Sequence, residues 1–248
     1  MIGFKYLLRL ILFIVFSSII IAQDNTIKIS DDLELIRLSD KAFIHTSYKD
    51  MSGYEHLPAN GLVYIDDGKA FIVDTPWDDA LTKMLVDWLR DNLAVEIEGV
   101  IVTHWHVDCM GGLNEIHKRG IKTYLQNLTR EIAAREKLPV PENGFDTKLT
   151  LYINDKEIIA GYFGAGHTID NIVVWVPAEK ILFGGCMMKT LGSRGLGNTD
   201  DADLTEWPKT VNKVLERYSD AEIVIPGHGQ YGDIKIIHHT LQLLQLTE

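Results

Sequence analysis

The stretch Gly99-Val-Ile-Val-Thr-His104-Trp-His106-Val-Asp108-Cys-Met-Gly-Gly112 decides how the rest of the chain is read. An apolar run of strand type ends there, and three potential metal ligands come next at alternate positions before a pair of glycines. A strand holds its end rigidly, and a glycine-containing loop lets side chains turn inward at a crowded place. Three later segments repeat the setting: Gly164-Ala-Gly-His167, Gly184-Gly-Cys186 and Pro226-Gly-His228-Gly. Each follows an apolar run and is flanked by glycine.

The donor types argue for zinc. His104, His106 and His167 supply three imidazoles, a set that leaves one tetrahedral position open for water and lowers the pKa of that water to about 7. Asp108, Cys186 and His228 form a second set of carboxylate, thiolate and imidazole, whose sulfur favours zinc over magnesium or calcium. The expectation is two zinc ions per chain, about 3.5–4 Å apart. His-x-His-x-Asp by itself is a weak signal, since one buried histidine with solvated neighbours would explain it. Six ligand-type residues in glycine-rich strand ends are much harder to explain that way. His45, His56, His117, His238 and His239 lack this context and are read as non-ligands.

The 248 residues, 46% of them hydrophobic, can bury a sizeable core. The formal net charge of -11 argues against a nucleic-acid partner, because phosphate binding needs clustered Lys and Arg. Residues 1–22 look like an export signal, with Lys5 and Arg9 before the apolar run Leu10 to Ile21 and a small residue, Ala22, at the cut. An uncleaved N-terminal anchor is the alternative, although the run is short for a full span. Export to the periplasm would make the membrane a partner through this segment alone. It would also expose Cys109 and Cys186 to an oxidising compartment, where a pair of cysteines reads as a disulfide. Coordination protects a thiolate, so a free Cys186 ligand is preferred, with a Cys109–Cys186 bridge as the alternative.

Residues 23–248 read as one domain of two similar halves meeting near 139–148, where Pro139 and Pro141 stop a helix. Strands are expected at 33–38, 42–46, 62–65, 70–73, 121–125, 149–153, 157–163, 172–176, 180–183 and 222–225. Residues 47–58 are either a mobile flap beside a pocket or an ordinary surface hairpin. Asp78 and Asp79 open a helix whose stripe Leu81, Met84, Leu85, Trp88 and Leu89 is core. Further helices fall at 114–118, 128–137, 204–217 and 234–246. This pattern implies an α/β layering of two mixed sheets packed together with helices outside.

His104 to Gly112, Gly166-His-Thr-Ile-Asp-Asn-Ile-Val-Val-Trp175, Gly184-Gly-Cys-Met-Met-Lys189, Gly197-Asn198 and Pro226-Gly-His228-Gly together resemble the zinc metallo-β-lactamases. The resemblance runs from about residue 30 to 245. It is closest to the subclass with His/His/His and Asp/Cys/His sites, and within it to the Bacteroides-type members. Glyoxalase- and lactonase-like hydrolases of the wider superfamily usually have His after the motif Asp and a bridging Asp where Cys186 stands, and this chain has neither.

The resemblance implies an αβ/βα four-layer sandwich with the metals at one edge. It implies an exported, monomeric enzyme that hydrolyses the β-lactam amide of penicillins, cephalosporins and carbapenems by attack of zinc-bound hydroxide. A hydrolase of another amide or ester on the same fold is the alternative. Asp108 would orient the nucleophile, Lys189 would pair with the substrate carboxylate, and Asn198 would hydrogen-bond the lactam carbonyl oxygen. Trp77 and the flap would contact apolar parts of the substrate. Cys109, where many members carry arginine, is expected near the second zinc without binding it.

Overall fold

Along Lys69–Val73, Phe71 and Val73 enter one buried cluster while Ala70 and Ile72 enter another on the opposite face. Ile172–Val176 behaves alike, with Ile172, Val174 and Val176 on one side and Val173 and Trp175 on the other. Strands apolar on both faces need cover on both, so each sheet must lie between its partner sheet and a helix layer. The computed structural model, which describes residues 25–51 and 53–246, has this arrangement.

The chain opens with strands β1 (Thr26–Ser30), β2 (Leu33–Arg37), β3 (Ala42–Met51), β4 (Tyr54–Asp66) and β5 (Lys69–Val73). Helix α1 (Asp79–Leu93) leads to β6 (Glu96–Ile101), α2 (Val107–Met110), α3 (Leu113–Lys118), β7 (Lys122–Gln126), α4 (Asn127–Arg135) and β8 (Asn143–Phe145). These strands form one sheet in sequence order, antiparallel from β1 to β5 and parallel from β5 to β8.

The second sheet takes β9 (Lys148–Ile153), β10 (Lys156–Tyr162), β11 (Ile172–Val176) and β12 (Ile181–Gly185) as an antiparallel meander. Beyond helix α5 (Trp207–Arg217), β13 (Ile223–Pro226) adds alongside β12 in parallel, and α6 (Lys235–Gln245) closes the chain.

Ile44, Leu62, Val73 and Ile101 of the first sheet meet Ile158, Val174, Phe183 and Ile225 of the second in the central core. Leu85 and Leu89 of α1 cover the outer face of the first sheet, and Val211 and Val214 of α5 cover the second. At the start of α1 the Asp78 carboxylate accepts a hydrogen bond from the Leu81 amide at 2.9 Å. A cap of this kind contributes about 1 kcal/mol.

Residues 47–58 take the hairpin alternative: β3 and β4 pair almost to their tip, from Ala42↔Tyr64 to Met51↔Tyr54, so the flap is the far end of a long hairpin. Other expectations need correction. Met84 is 46% exposed and leaves the α1 stripe, whose buried members are Leu81, Thr82, Leu85, Val86 and Leu89. Strands β1 and β8 and the one-turn helix α2 are additions to the expected elements; β8 and α2, at 3 and 4 residues, are too short to carry a hydrophobic period. The proposed export signal at 1–22 lies outside the described residues. Among the described residues no helix is long and apolar enough to cross a membrane.

Candidate metal centre

Strand β6 ends at Ile101, and Asp74 fixes the segment that leaves it. Asp74 sits in the left-handed region at φ 59° just past β5, where its amide donates to the Ile101 carbonyl at 2.8 Å. Its buried carboxylate accepts from the Thr103 amide and from the Thr103 hydroxyl, both at 2.7 Å. Burial pushes the Asp74 carboxyl up to about 7, against the opposing effects of His104 and the Thr103 hydrogen bonds. Thr103 Oγ1 and Cys109 Sγ lie 3.2 and 3.3 Å from His104 Nδ1, which leaves Nε2 as the other nitrogen of that ring.

His106 is the residue before α2, and Asp108 and Cys109 ride on that single turn. His106 Nε2 lies 3.0 Å from an Asp201 carboxylate oxygen, leaving Nδ1 as its remaining nitrogen. His167 arrives from the loop between β10 and β11. The rings of His104, His106 and His167 sit 4.8–5.2 Å apart, edge to face, and one ligand atom of each lies within 4.8 Å of the others. His167 Nδ1 is buried without a protein hydrogen-bond partner among the described residues, and burial pushes this imidazole down to about 2. It is therefore held neutral, the form that can donate a lone pair.

The other three donors meet even more tightly. Cys186 Sγ is 3.2 Å from Asp108 Oδ2 and 3.3 Å from His228 Nε2, and those two are 3.1 Å apart. A tetrahedral zinc with bonds of about 2.0–2.3 Å puts neighbouring donors about 3.3–3.7 Å apart. The triangle is close to that size. Gly227 makes it reachable, because a Cβ there would stand 2.7 Å from the Cys186 backbone nitrogen.

The electrostatics favour a cation. Burial opposes charge on His228, yet the Cys186 and Asp108 anions beside it raise its pKa well above the ordinary value. The Cys186 thiol is lowered, first by a hydrogen bond from Cys109 and then by His228 and His104, whereas burial drives the Cys109 thiol up. These directions favour Cys186 over Cys109 as the thiolate ligand. Cys109 still comes close, with its sulfur in a cluster with His104, Asp108 and Cys186. Both cysteines are free and buried, without a bridge between them.

The remaining expected site residues divide. Lys189 is 9% exposed, with its Nζ 5.3 Å above the Trp207 ring centroid, and burial lowers its pKa while Cys186 and Asp108 oppose that. Asn198 is exposed in a loop, and its carboxamide oxygen accepts from the Asp200 amide, leaving the amide nitrogen as the donating end.

Trp77 does not line an open pocket. It is 3% exposed, and its Nε1–H is shared between the carbonyls of Ser47 and Leu57, at 3.2 Å each. It thus clamps the two strands of the flap at their base. The tip carries the exposed Met51 and Tyr54.

Sequence reasoning missed Asp74, Asp201, Asn60 and Trp207. Asn60 lies on β4, and its Nδ2 donates to the Pro226 and Gly229 carbonyls at 2.9 and 2.8 Å, bracketing His228. Of these, Asp74 alone carried a local signal, an aspartate followed by Thr-Pro at a strand end.

The metallo-beta-lactamase superfamily profile matches residues 55–228. A metallo-beta-lactamase type 2 of Bacteroides fragilis is 42% identical over 224 residues, covering 90% of each chain. The solved structure of a metallo-beta-lactamase from Pontibacter korlensis superposes with a TM-score of 0.83 at 39% identity, covering 86% of this chain and 99% of that one. The DIM-1 metallo-beta-lactamase exposed to ceftazidime gives the same TM-score at 41% identity, with 88% and 98% covered.

Proposed function

The chain belongs to the metallo-β-lactamase superfamily, and from that membership we infer that it is a hydrolase opening the β-lactam amide. Curated relatives of that name, 34–42% identical, span most of its length. The observation that carries the reading into chemistry is the meeting of two unlike donor sets at one edge of the sandwich.

We propose that the metal is zinc, two ions per chain. His104, His106 and His167 would hold one, and Asp108, Cys186 and His228 the other. Three imidazoles suit an open zinc position, and the thiolate selects against hard cations. Bound there, the metals would supply Lewis acidity and an activated water at neutral pH.

The side chains around them have separate tasks. Asp108 presents a carboxylate that can accept a hydrogen bond from the attacking water and aim it. The Lys189 ammonium would attract the substrate carboxylate as a point charge. The Asn198 amide nitrogen would donate to the carbonyl oxygen as negative charge develops on it. Met51 and Tyr54 at the flap tip offer apolar cover to the substrate, and Trp77 holds that flap in place. Export to the periplasm is part of the proposal, supported by the charged and apolar pattern of residues 1–22.

The test is carbapenem hydrolysis by the purified chain, first loaded with zinc and then chelated. Turnover that chelation abolishes and zinc restores is expected. A folded protein holding two zincs without β-lactam turnover would move the assignment to another amide or ester. Failure to bind zinc would overturn the metal reading.

A further inference from the structure

Trp207 opens α5, is fully buried, and touches three parts of the site at once. Its Nε1–H donates to the Met187 carbonyl at 3.0 Å, gripping the backbone between Cys186 and Lys189. Its ring face lies beneath the Lys189 ammonium, 5.3 Å from centroid to Nζ. The same indole packs against the His167 imidazole, with ring centroids 5.7 Å apart. Its own amide donates to the Asp203 carbonyl, and the Asp203 amide donates to the carbonyl of Gly166, the residue before His167.

A residue that merely filled the core would need neither a hydrogen bond to this carbonyl nor a face under an ammonium. An apolar residue without an N–H or a ring could line the same cluster with Val211, Val214 and Leu182 and make neither contact. A free lysine side chain has about 2 kcal/mol of rotamer entropy to lose when it engages a partner. A lysine already seated on an aromatic face loses less, and its charge is stabilised where water is scarce. We propose that Trp207 is a positioning residue for substrate binding: it pre-seats Lys189 at a fixed place relative to His167, so that the carboxylate of the substrate and its reactive carbonyl are presented together. This rests on the reading of Lys189 as the carboxylate partner. Trp207 acts through Lys189 and does not itself touch the substrate.

The test uses the metal-loaded full chain with Trp207→Phe and Trp207→Leu, each alone and combined with Lys189→Ala. Substrates are a β-lactam with a free carboxylate and its methyl ester. Phenylalanine keeps a ring face and loses the donor to Met187, whereas leucine loses both. Trp207→Leu should raise KM for the free acid by about three- to tenfold and leave kcat within about twofold. Trp207→Phe should raise it by about two- to threefold, and the ester should respond little to either. With Lys189→Ala in place, neither Trp207 substitution should raise KM further. Independently of turnover, the Lys189 ε-methylene protons should show an upfield ring-current shift that Trp207→Leu abolishes.

Equal KM changes for acid and ester, or full additivity with Lys189→Ala, would reduce Trp207 to a core residue. So would a Lys189 signal at its random-coil position in the unsubstituted protein. If Trp207→Leu fails to fold, an unchanged KM for the free acid in Trp207→Phe would overturn the proposal. If Lys189→Ala alone leaves the free-acid KM unchanged, the Lys189 reading fails first, and the ring-current shift then tells whether the seat exists without that use.

Discussion

The Nδ1–H of His228 donates to the carbonyl of Pro58 at 2.6 Å, tying a metal-ligand candidate to the base of the flap. A carbonyl can only accept, so Nδ1 carries a proton, and a metal held with Asp108 and Cys186 would take Nε2 in place of its proton. Flap base and ligand therefore behave as one unit, with Asn60 pinning the backbone on both sides of His228.

Asn60→Ala should release that loop. Loss of its three side-chain hydrogen bonds, two donated to the loop and one accepted from the Thr46 hydroxyl, predicts destabilisation by about 1–3 kcal/mol. Affinity at the Asp108, Cys186 and His228 donors should fall by about ten- to a hundredfold, as for other supports of metal ligands. Competitive zinc titration against a chromophoric chelator checks it. The three-histidine set should hold its affinity within a few-fold.

The two cysteines should separate cleanly. Cys186→Ser replaces a thiolate by a hydroxyl that does not ionise at neutral pH, so about half the bound metal and most turnover should be lost. Cys109→Ser should keep both metals, because burial disfavours a thiolate there. Metal analysis after gel filtration decides. Halved metal in Cys109→Ser would assign the ligand to the wrong cysteine.

Asp74→Ala would strand the Thr103 amide and hydroxyl, which Asp74 satisfies at 2.7 Å. Leaving these donors unpaired in the interior predicts a loss of about 2–4 kcal/mol of stability. Asp74→Asn keeps one acceptor and should lose about half as much. Urea denaturation of the chelated proteins gives both values.

The candidate metal donors were legible because they stand in short signatures after apolar runs, His167, Cys186 and His228 beside glycine and His104, His106 and Asp108 just ahead of Gly111 and Gly112. Their supports were not legible. Asp201 meets His106 across 95 residues, and Asn60 reaches Pro226 across 166, so no local pattern links either pair. The flap hides its strands for a related reason. Ser47 to Pro58 mixes charges, Gly53 and a proline, and its strand character comes from β3–β4 pairing rather than from a hydrophobic period. Trp77 reads from sequence as part of the substrate face, whereas its burial and its shared indole hydrogen bond make it a clamp.

His45 predicts a pH dependence unrelated to turnover. It is buried on β3 with Nε2 near the Asp74 carbonyl, and a Cβ at Gly61 would overlap its ring. Burial pushes its pKa down to about 4 from an ordinary 6.5. Between those values the unfolded chain binds the extra proton, so stability rises with pH through the window and falls on acidification. The shift corresponds to at most about 3 kcal/mol. The stability difference between the unsubstituted chain and His45→Gln should therefore shrink by up to that amount between pH 6.5 and pH 4. Paired urea titrations across the window measure it, and a difference that stays flat would mean that His45 does not take up its proton there.

His104, His106 and Asp108 follow strand β6 of the first sheet, whereas His167, Cys186 and His228 follow strands of the second, so each of the two proposed ions would fasten the two sheets together. Such an ion binds the native chain and has no assembled site in the unfolded one. A free concentration about a hundredfold above its dissociation constant would add about 2.7 kcal/mol to the apparent stability. The protein's resistance to unfolding and to proteolysis then becomes a function of metal supply, and a metal-starved cell would clear it faster than a replete one.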